Sequence, residues 1–111
     1  IALVGIGAPT PDSVVMKDGT ILTQQELASV LDKGAVGDIC LRFFDEDGKP
    51  VTADFESRII GISLEDLKKI PKVVGVTGGP HKHESLLGAL RGKLINVIVT
   101  DHLTAKSVLE E

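Results

Sequence analysis

The sequence predicts an α/β protein, with a largely parallel sheet flanked by helices. Short apolar runs at 1–4 (IALV), 73–76 (VVGV) and 94–99 (LINVIV) have the composition of strands covered on both faces, as in a parallel sheet. The first two run into glycine turns and the third into Thr100-Asp101. In the later half, strand and helix patterns alternate at short spacing, which implies crossover connections between parallel strands.

The elements follow in order. Ile1 to Val4 form a strand ending in Gly5-Ile6-Gly7. Residues 8–23, with two prolines and a glycine, are expected to be a long loop, a kind of segment that is usually functional or mobile. Thr23 caps a helix carrying Leu27, Val30 and Leu31 at helical spacing, with Gly34 as its stop. DICLRFFD (38–45) reads as one strand, with Asp38, Cys40, Arg42 and Phe44 on one face and Ile39, Leu41 and Phe43 on the other. DEDGKP (45–50) is a turn, and Val51 to Phe55 a short returning strand. RIIGIS (58–63) reads as another strand. Ser63 then caps LEDLKKI, with Asp66 in a capping-box-like position and Pro71 beyond its end. After the strand at 73–76, Pro80 to Gly92 form a helix, 94–101 a buried strand, and Asp101 caps a last helix through Leu109.

Composition narrows the function classes. The chain has 111 residues, 42% hydrophobic and 25% charged, enough for one small domain or part of a larger one. Its net charge of −4, three Phe and no Trp or Tyr argue against this segment gripping nucleic acid directly. No apolar run is long enough to span a bilayer, and no signal peptide is visible. A single cysteine, Cys40, fits a reducing, cytoplasmic compartment. A core strand starting at Ile1 without an initiator Met points to part of a longer chain.

The chemistry concentrates at the strand ends, where open parallel sheets bind ligands. Gly78 and Gly79 let the backbone bend and approach a ligand closely, and Pro80 suits a first helical position. Lys82 falls at about the third helical position, flanked by His81 and His83. Positive side chains oppose the dipole there unless an anion joins them, so the segment reads either as an anion pocket or as a solvated basic turn balanced by Glu84. The spacing is not that of a nucleoside-triphosphate loop. Metal is disfavoured: His81 and His83 would diverge on a helix and no third ligand lies near. His102 is placed facing solvent or near the pocket mouth, and Ser85 lacks a base and an elbow motif. Asp38 is either a turn residue or an acceptor for ligand hydroxyls. Arg42 is either a phosphate partner or, more commonly on a strand, half exposed and paired with a carboxylate.

GAVGDICLRFFDEDGKPV, RIIGISLEDLKKIP and VVGVTGGPHKHESLLGALRGKLINVIVTDHLTAKSVL, in this order, resemble the C-terminal part of the effector-binding domain of SorC/DeoR-type bacterial transcriptional regulators. IALVGIG and its loop fit the same pattern, so the resemblance covers essentially all of residues 1–111. It implies a Rossmann-like fold similar to the sugar-phosphate isomerase and coenzyme A transferase group. It also implies an N-terminal helix-turn-helix, absent here together with the first half of the effector domain, and a homodimer or homotetramer in the full-length protein. The implied ligand is a phosphorylated sugar bound without turnover, with no catalytic residue, metal or cofactor. DNA would be bound through the absent domain. By the same resemblance Lys82, within the GGxxK turn of Gly78 and Gly79, contacts phosphate or effector oxygens. Asp38 accepts hydroxyl hydrogen bonds, and Gly5 and Gly7 line the neighbouring strand end. The competing reading is a sugar-phosphate isomerase or deaminase of the related fold, with Lys82, Asp38 or His81 in proton transfer. A third is an oligomerisation fragment with no ligand site.

Overall fold

The computed structural model describes residues 1–10, 22–52 and 54–110. The loop expected at 8–23 lies mostly at residues 11–21, outside the described residues. Three strands, β1 (Ala2–Gly5), β4 (Val73–Val76) and β5 (Val97–Val99), form a parallel sheet in the order β1-β4-β5. A separate antiparallel pair joins β2 (Gly37–Ile39) to β3 (Arg42–Phe44). The helices are α1 (Gln24–Asp32), α2 (Leu64–Lys68), α3 (His83–Arg91) and α4 (His102–Leu109), with 3-10 turns at Asp54–Arg58 and Pro80–Lys82. The expected α/β architecture is therefore present. Among the described residues no helix is long and apolar enough to cross a membrane.

Local chemistry sets the helix starts. Thr23 and Glu26 form a reciprocal capping box, each side chain satisfying the other's backbone N–H (2.9 and 3.1 Å). The Ser63 hydroxyl accepts from the Asp66 N–H at 3.1 Å, and the Asp101 carboxylate from the Thr104 N–H at 2.8 Å.

Two cores meet across the hairpin. Phe44 packs with Val4, Ile6, Leu67, Val73, Leu86 and Ile95 beneath the parallel sheet. Its neighbour Phe43 points the other way, into Leu22, Leu27, Val30, Val51 and Phe55, and meets the Phe55 ring edge-on at 5.8 Å. The hairpin is thus anchored on both faces, and its tip is carried to the end of β1. There Gly7 and Asp38 exchange backbone hydrogen bonds (2.9 and 3.1 Å), continuing the chain of β1 onto β2.

Several elements differ from expectation. The segment 38–45 is not one strand: it reverses at Cys40-Leu41, whose φ values are 54° and 64°. Positive φ at both central residues marks a type I′ hairpin turn, normally built from Asn or Gly. The face alternation expected through Cys40 therefore breaks there. Residues 58–63 and the described residues of 51–55 are not strands either. The 3-10 turn occupies Asp54–Arg58, and the Arg42 guanidinium takes the carbonyls of Ile62 (3.2 Å) and Gly61 (3.1 Å) that a sheet neighbour would have used. Arg42 accordingly pairs with backbone rather than with a carboxylate. The strand expected at 94–101 shortens to Val97–Val99, where Val97 and Val99 are exposed on the outer face of the sheet while Ile98 packs against the core. Asn96 takes the place of an earlier strand residue: its side-chain carbonyl accepts from the Val73 N–H at 2.9 Å and its amide donates to Pro71 O at 2.8 Å.

Candidate functional site

The C-terminal ends of β1 and β4 and the tip of the β2–β3 hairpin enclose a cleft of about 730 Å³. Gly5, Gly7, Asp38, Gly78 and Lys82 line it together, so residues drawn from three separate stretches of sequence converge.

Lys82 reaches the cleft because the predicted helix start is not α-helical. Gly79 has φ +105°, Pro80 follows, and the Lys82 N–H donates to Gly79 O at 3.1 Å, closing a 3-10 turn. The α-helix proper begins at His83. From this turn the Lys82 ammonium donates to the Ile6 carbonyl at 3.3 Å, an oxygen also taken by the Thr77 hydroxyl at 3.3 Å. The lysine is half-buried and lies along the end of β1 instead of extending into water.

Asp38 is buried, unlike most carboxylates. Burial raises its pKa above the ordinary carboxylate value; the Leu41 N–H bonded to it and the Lys82 charge act in the opposite direction. Gly7 is what lets it sit there, since a Cβ on Gly7 would run into the Asp38 carboxylate. A buried anion facing a cation, with the Thr77 hydroxyl beside the cation, can recognise a ligand that is anionic at one end and carries hydroxyls at the other.

Gly79 does not line the cleft. Its N–H is shared by the Asp101 carboxylate (3.0 Å) and the Thr104 hydroxyl (3.1 Å), which fasten the turn to the start of α4. The Thr104 N–H and hydroxyl and the Gly79 N–H all donate to Asp101 and hold its carboxyl below the usual range. The two histidines separate. His81 lines the cleft with its ring against Gly79, whereas the His83 Nδ1 lies 3.0 Å from the Ser107 hydroxyl on α4. Ser85 is buried and its hydroxyl donates to Lys82 O at 3.0 Å, a bond that secures the start of α3. His102 is exposed on α4 and outside the cleft lining. Among the described residues no group of three or more His, Cys, Asp or Glu is placed to hold a metal ion.

Thr10, Cys40 and Leu41 also line the cleft and were not anticipated as site residues, and Thr77, which opens the Thr77-Gly78-Gly79 turn at the strand end, lines it as well. Cys40 and Leu41 carry no turn signal, because neither residue type favours positive φ.

Residues 1–110 match the family model described as "Putative sugar-binding domain". The chain belongs to the sugar-binding domain family of SorC/DeoR-type transcriptional regulators. It is 40% identical over 111 residues to the transcriptional regulator LsrR of Klebsiella pneumoniae, covering 97% of this chain and 34% of that one. The chain thus spans about a third of that relative's length. Its fold matches the full-length sorbitol operon regulator SorC of Klebsiella pneumoniae with a TM-score of 0.84 at 32% identity, over 97% of this chain and 34% of that one. The sugar-binding domain of a Vibrio fischeri transcriptional repressor matches with a TM-score of 0.85 at 37% identity, over 98% of this chain and 44% of that chain. In this sugar-binding domain the cleft lies where parallel sheets place ligands, at the carboxyl ends of the strands.

Proposed function

We propose that the chain is the C-terminal part of the effector-sensing domain of a sugar-responsive, cytoplasmic transcriptional regulator, and that its effector is a phosphorylated sugar. Lys82 neutralises the phosphate, while the Gly78 turn brings backbone close to it. Asp38 accepts hydrogen bonds from sugar hydroxyls. The observation that carries this reading is the convergence of Lys82 and the buried Asp38 carboxylate in one cleft at the strand ends. A buried carboxylate beside a cation suits recognition of a polyol with an anionic end better than it suits a purely apolar ligand.

The ligand is sensed, not converted. Its binding shifts a conformational or oligomeric equilibrium of a homodimer or homotetramer, and that shift alters DNA binding by a separate N-terminal domain. Such coupling requires the effector to bind the two states with unequal affinity.

Titration calorimetry of the chain with a panel of sugar phosphates, the corresponding free sugars and inorganic phosphate tests the proposal. Saturable binding of a sugar phosphate, tighter than either of its parts, is expected, with the ligand recovered unchanged by NMR. Chemical conversion of the ligand would instead support an isomerase or deaminase. Equal affinity for free sugar and sugar phosphate would remove the phosphate from the proposal.

A further inference from the structure

The hairpin tip is a partition between two cavities. Cys40 and Leu41 line the strand-end cleft and also a second cavity, of about 450 Å³. Leu22, Phe55, Ile59 and Ile60 supply most of the remaining wall of that second cavity. Leu22 and Phe55 are buried in the core shared with Phe43, Ile59 is half-buried, and Ile60 is fully exposed. Among the described residues that line it the only charged one is Arg58, whose guanidinium is paired with the Glu26 carboxylate. The two cavities therefore differ in chemistry. The cleft presents Asp38, Thr77 and Lys82, and the second cavity presents apolar surface.

Two features set this apolar wall apart from an ordinary gap. The first is the tip itself. Cys40 and Leu41 stand at φ 54° and 64°, where Asn or Gly would be free of strain. Strain of this kind persists only where the surrounding structure fixes it, and it collects at ligand sites. Here it sets the Leu41 side chain between the cavities while the Leu41 N–H is bonded to the Asp38 carboxylate. The second is Ile60. The Arg42 guanidinium holds the carbonyls of Gly61 (3.1 Å) and Ile62 (3.2 Å), which fastens this loop to β3 with Ile60 at the cavity's rim. One fully exposed isoleucine is unremarkable on a surface. At the mouth of an apolar cavity continuous with a polar cleft, it extends the apolar wall.

We propose that this cavity is a second subsite of the effector cleft, and that the effector is a phosphorylated glycoside whose apolar aglycone, an aryl or branched alkyl group, lies across Leu41 against Ile59 and Ile60. The inference rests on the sugar-phosphate reading of the cleft and narrows it. Asp38 lies in the field of Lys82 and is bonded to the Leu41 N–H, so the groups for phosphate, hydroxyls and aglycone are neighbours in turn. A binding site that is mostly apolar, with a few polar groups fixing orientation, is the usual design for a small-molecule ligand.

Two titrations test it. Calorimetry compares the methyl and phenyl glycosides of each sugar phosphate in the panel. Where the sugar phosphate binds, its phenyl glycoside is expected to bind about tenfold tighter than the methyl glycoside, through the apolar area removed from water. That ratio should fall towards one in Ile60→Asp, a change at a fully exposed position that does not put folding at stake. The second titration uses phenol alone and needs no sugar. Saturable NMR shifts are expected at the methyls of Leu41, Ile59 and Ile60, and they should be lost in Ile60→Asp. Equal affinity of the methyl and phenyl forms would overturn the proposal, as would phenol shifts confined to the exposed sheet residues Leu3 and Val99 or absent altogether. A doubled mass in light scattering that Ile60→Asp returns to that of one chain would also overturn it, since a second copy would then fill the cavity. If no sugar phosphate binds while phenol still shifts the three methyls, the sugar-phosphate reading fails and the apolar site stands.

Discussion

The Lys82 ammonium donates to the Ile6 carbonyl at 3.3 Å, which ties the 3-10 turn after β4 to the end of β1. On the proposed reading the contact is an intramolecular placeholder. A carbonyl carries only a partial negative charge, and a phosphate oxygen offers the ammonium a stronger, charge-assisted bond. Lys82→Ala should therefore weaken sugar-phosphate binding by roughly tenfold to a hundredfold, the range set by about 1.5–3 kcal/mol for a hydrogen bond to a charged group. His81→Ala leaves the charge in place and should bind close to the parent. Calorimetric titration of both variants decides the matter: equal losses would show that the basic turn acts as a whole, not through its lysine.

Asp38 sets function against stability. Its carboxyl has a pKa raised by burial, so the folded state holds the proton to higher pH than the unfolded chain does. As pH rises from the ordinary value of 3.8 through the folded value, the unfolded state releases its proton first and folding stability falls; it stays lower above both values. Asp38→Asn removes that cost and keeps an acceptor for the Leu41 N–H. The variant should melt higher than the parent at pH 7, with the difference closing below pH 3.8, where Asp38 is protonated in both states. It should bind the effector more weakly, because a neutral amide accepts sugar hydroxyls less strongly than a carboxylate. Melting curves across pH with paired titrations check both parts. A lower melting temperature at pH 7 would mean that the interaction with Lys82 outweighs desolvation.

The parts of this fold legible in the sequence are those that depend on near neighbours. Thr23, Ser63 and Asp101 act as caps because a side-chain oxygen reaches an N–H three residues on, and such spacing is visible in a string of letters. Lys82, Gly5, Gly7 and Gly78 could be singled out because glycine turns after apolar runs mark strand ends, whereas spacing left Asp38 open and only the family resemblance pointed to it. The second bond of Asp101, to the Gly79 N–H 22 residues away, was not legible, and it is what withdraws Gly79 from the cleft. Nor was the fate of residues 58–63 legible. Two isoleucines beside Gly61 read as a strand, but the deciding group is the guanidinium of Arg42, which occupies their neighbours' carbonyls from elsewhere in the chain. The exposure of Val97 and Val99 was hidden for a different reason: an apolar residue at a sheet's uncovered face has the same letter as one in the core.

The hairpin tip gives a prediction independent of any ligand. Cys40 and Leu41 both stand at positive φ, a conformation that costs residues with a Cβ about 1–2 kcal/mol each. Cys40 is exposed, so little packing is lost on replacing it. Asn is the preferred first central residue of a type I′ turn. Cys40→Asn should raise the unfolding free energy by about 1 kcal/mol, measured as a higher urea midpoint with an unchanged slope. An unchanged or lower midpoint would show that the tip is not strained in the way its dihedral angles imply.

Asp101 supplies the opposite pH signature from Asp38. It caps α4 through the Thr104 N–H, accepts the Thr104 hydroxyl at 2.9 Å, and accepts the Gly79 N–H at 3.0 Å, so one carboxylate joins the glycine turn to the last helix. These bonds lower its pKa from the ordinary 3.8, and its stabilising contribution is present above that value and lost as pH falls through the folded one. Asp101→Ala should therefore melt lower than the parent at pH 7, and the two proteins should converge as the solution is acidified below pH 3.8. The loss should extend to the cleft. With only the Thr104 hydroxyl left to accept the Gly79 N–H, the turn that orients Lys82 is held less firmly to α4, and effector affinity should fall although Asp101 lies outside the cleft lining. Amide exchange read at Gly79 and Lys82 separates this from a general loss of stability. Faster exchange at the turn, with the β2–β3 hairpin unchanged, is the expected result; uniform acceleration across the chain would assign Asp101 to helix capping alone.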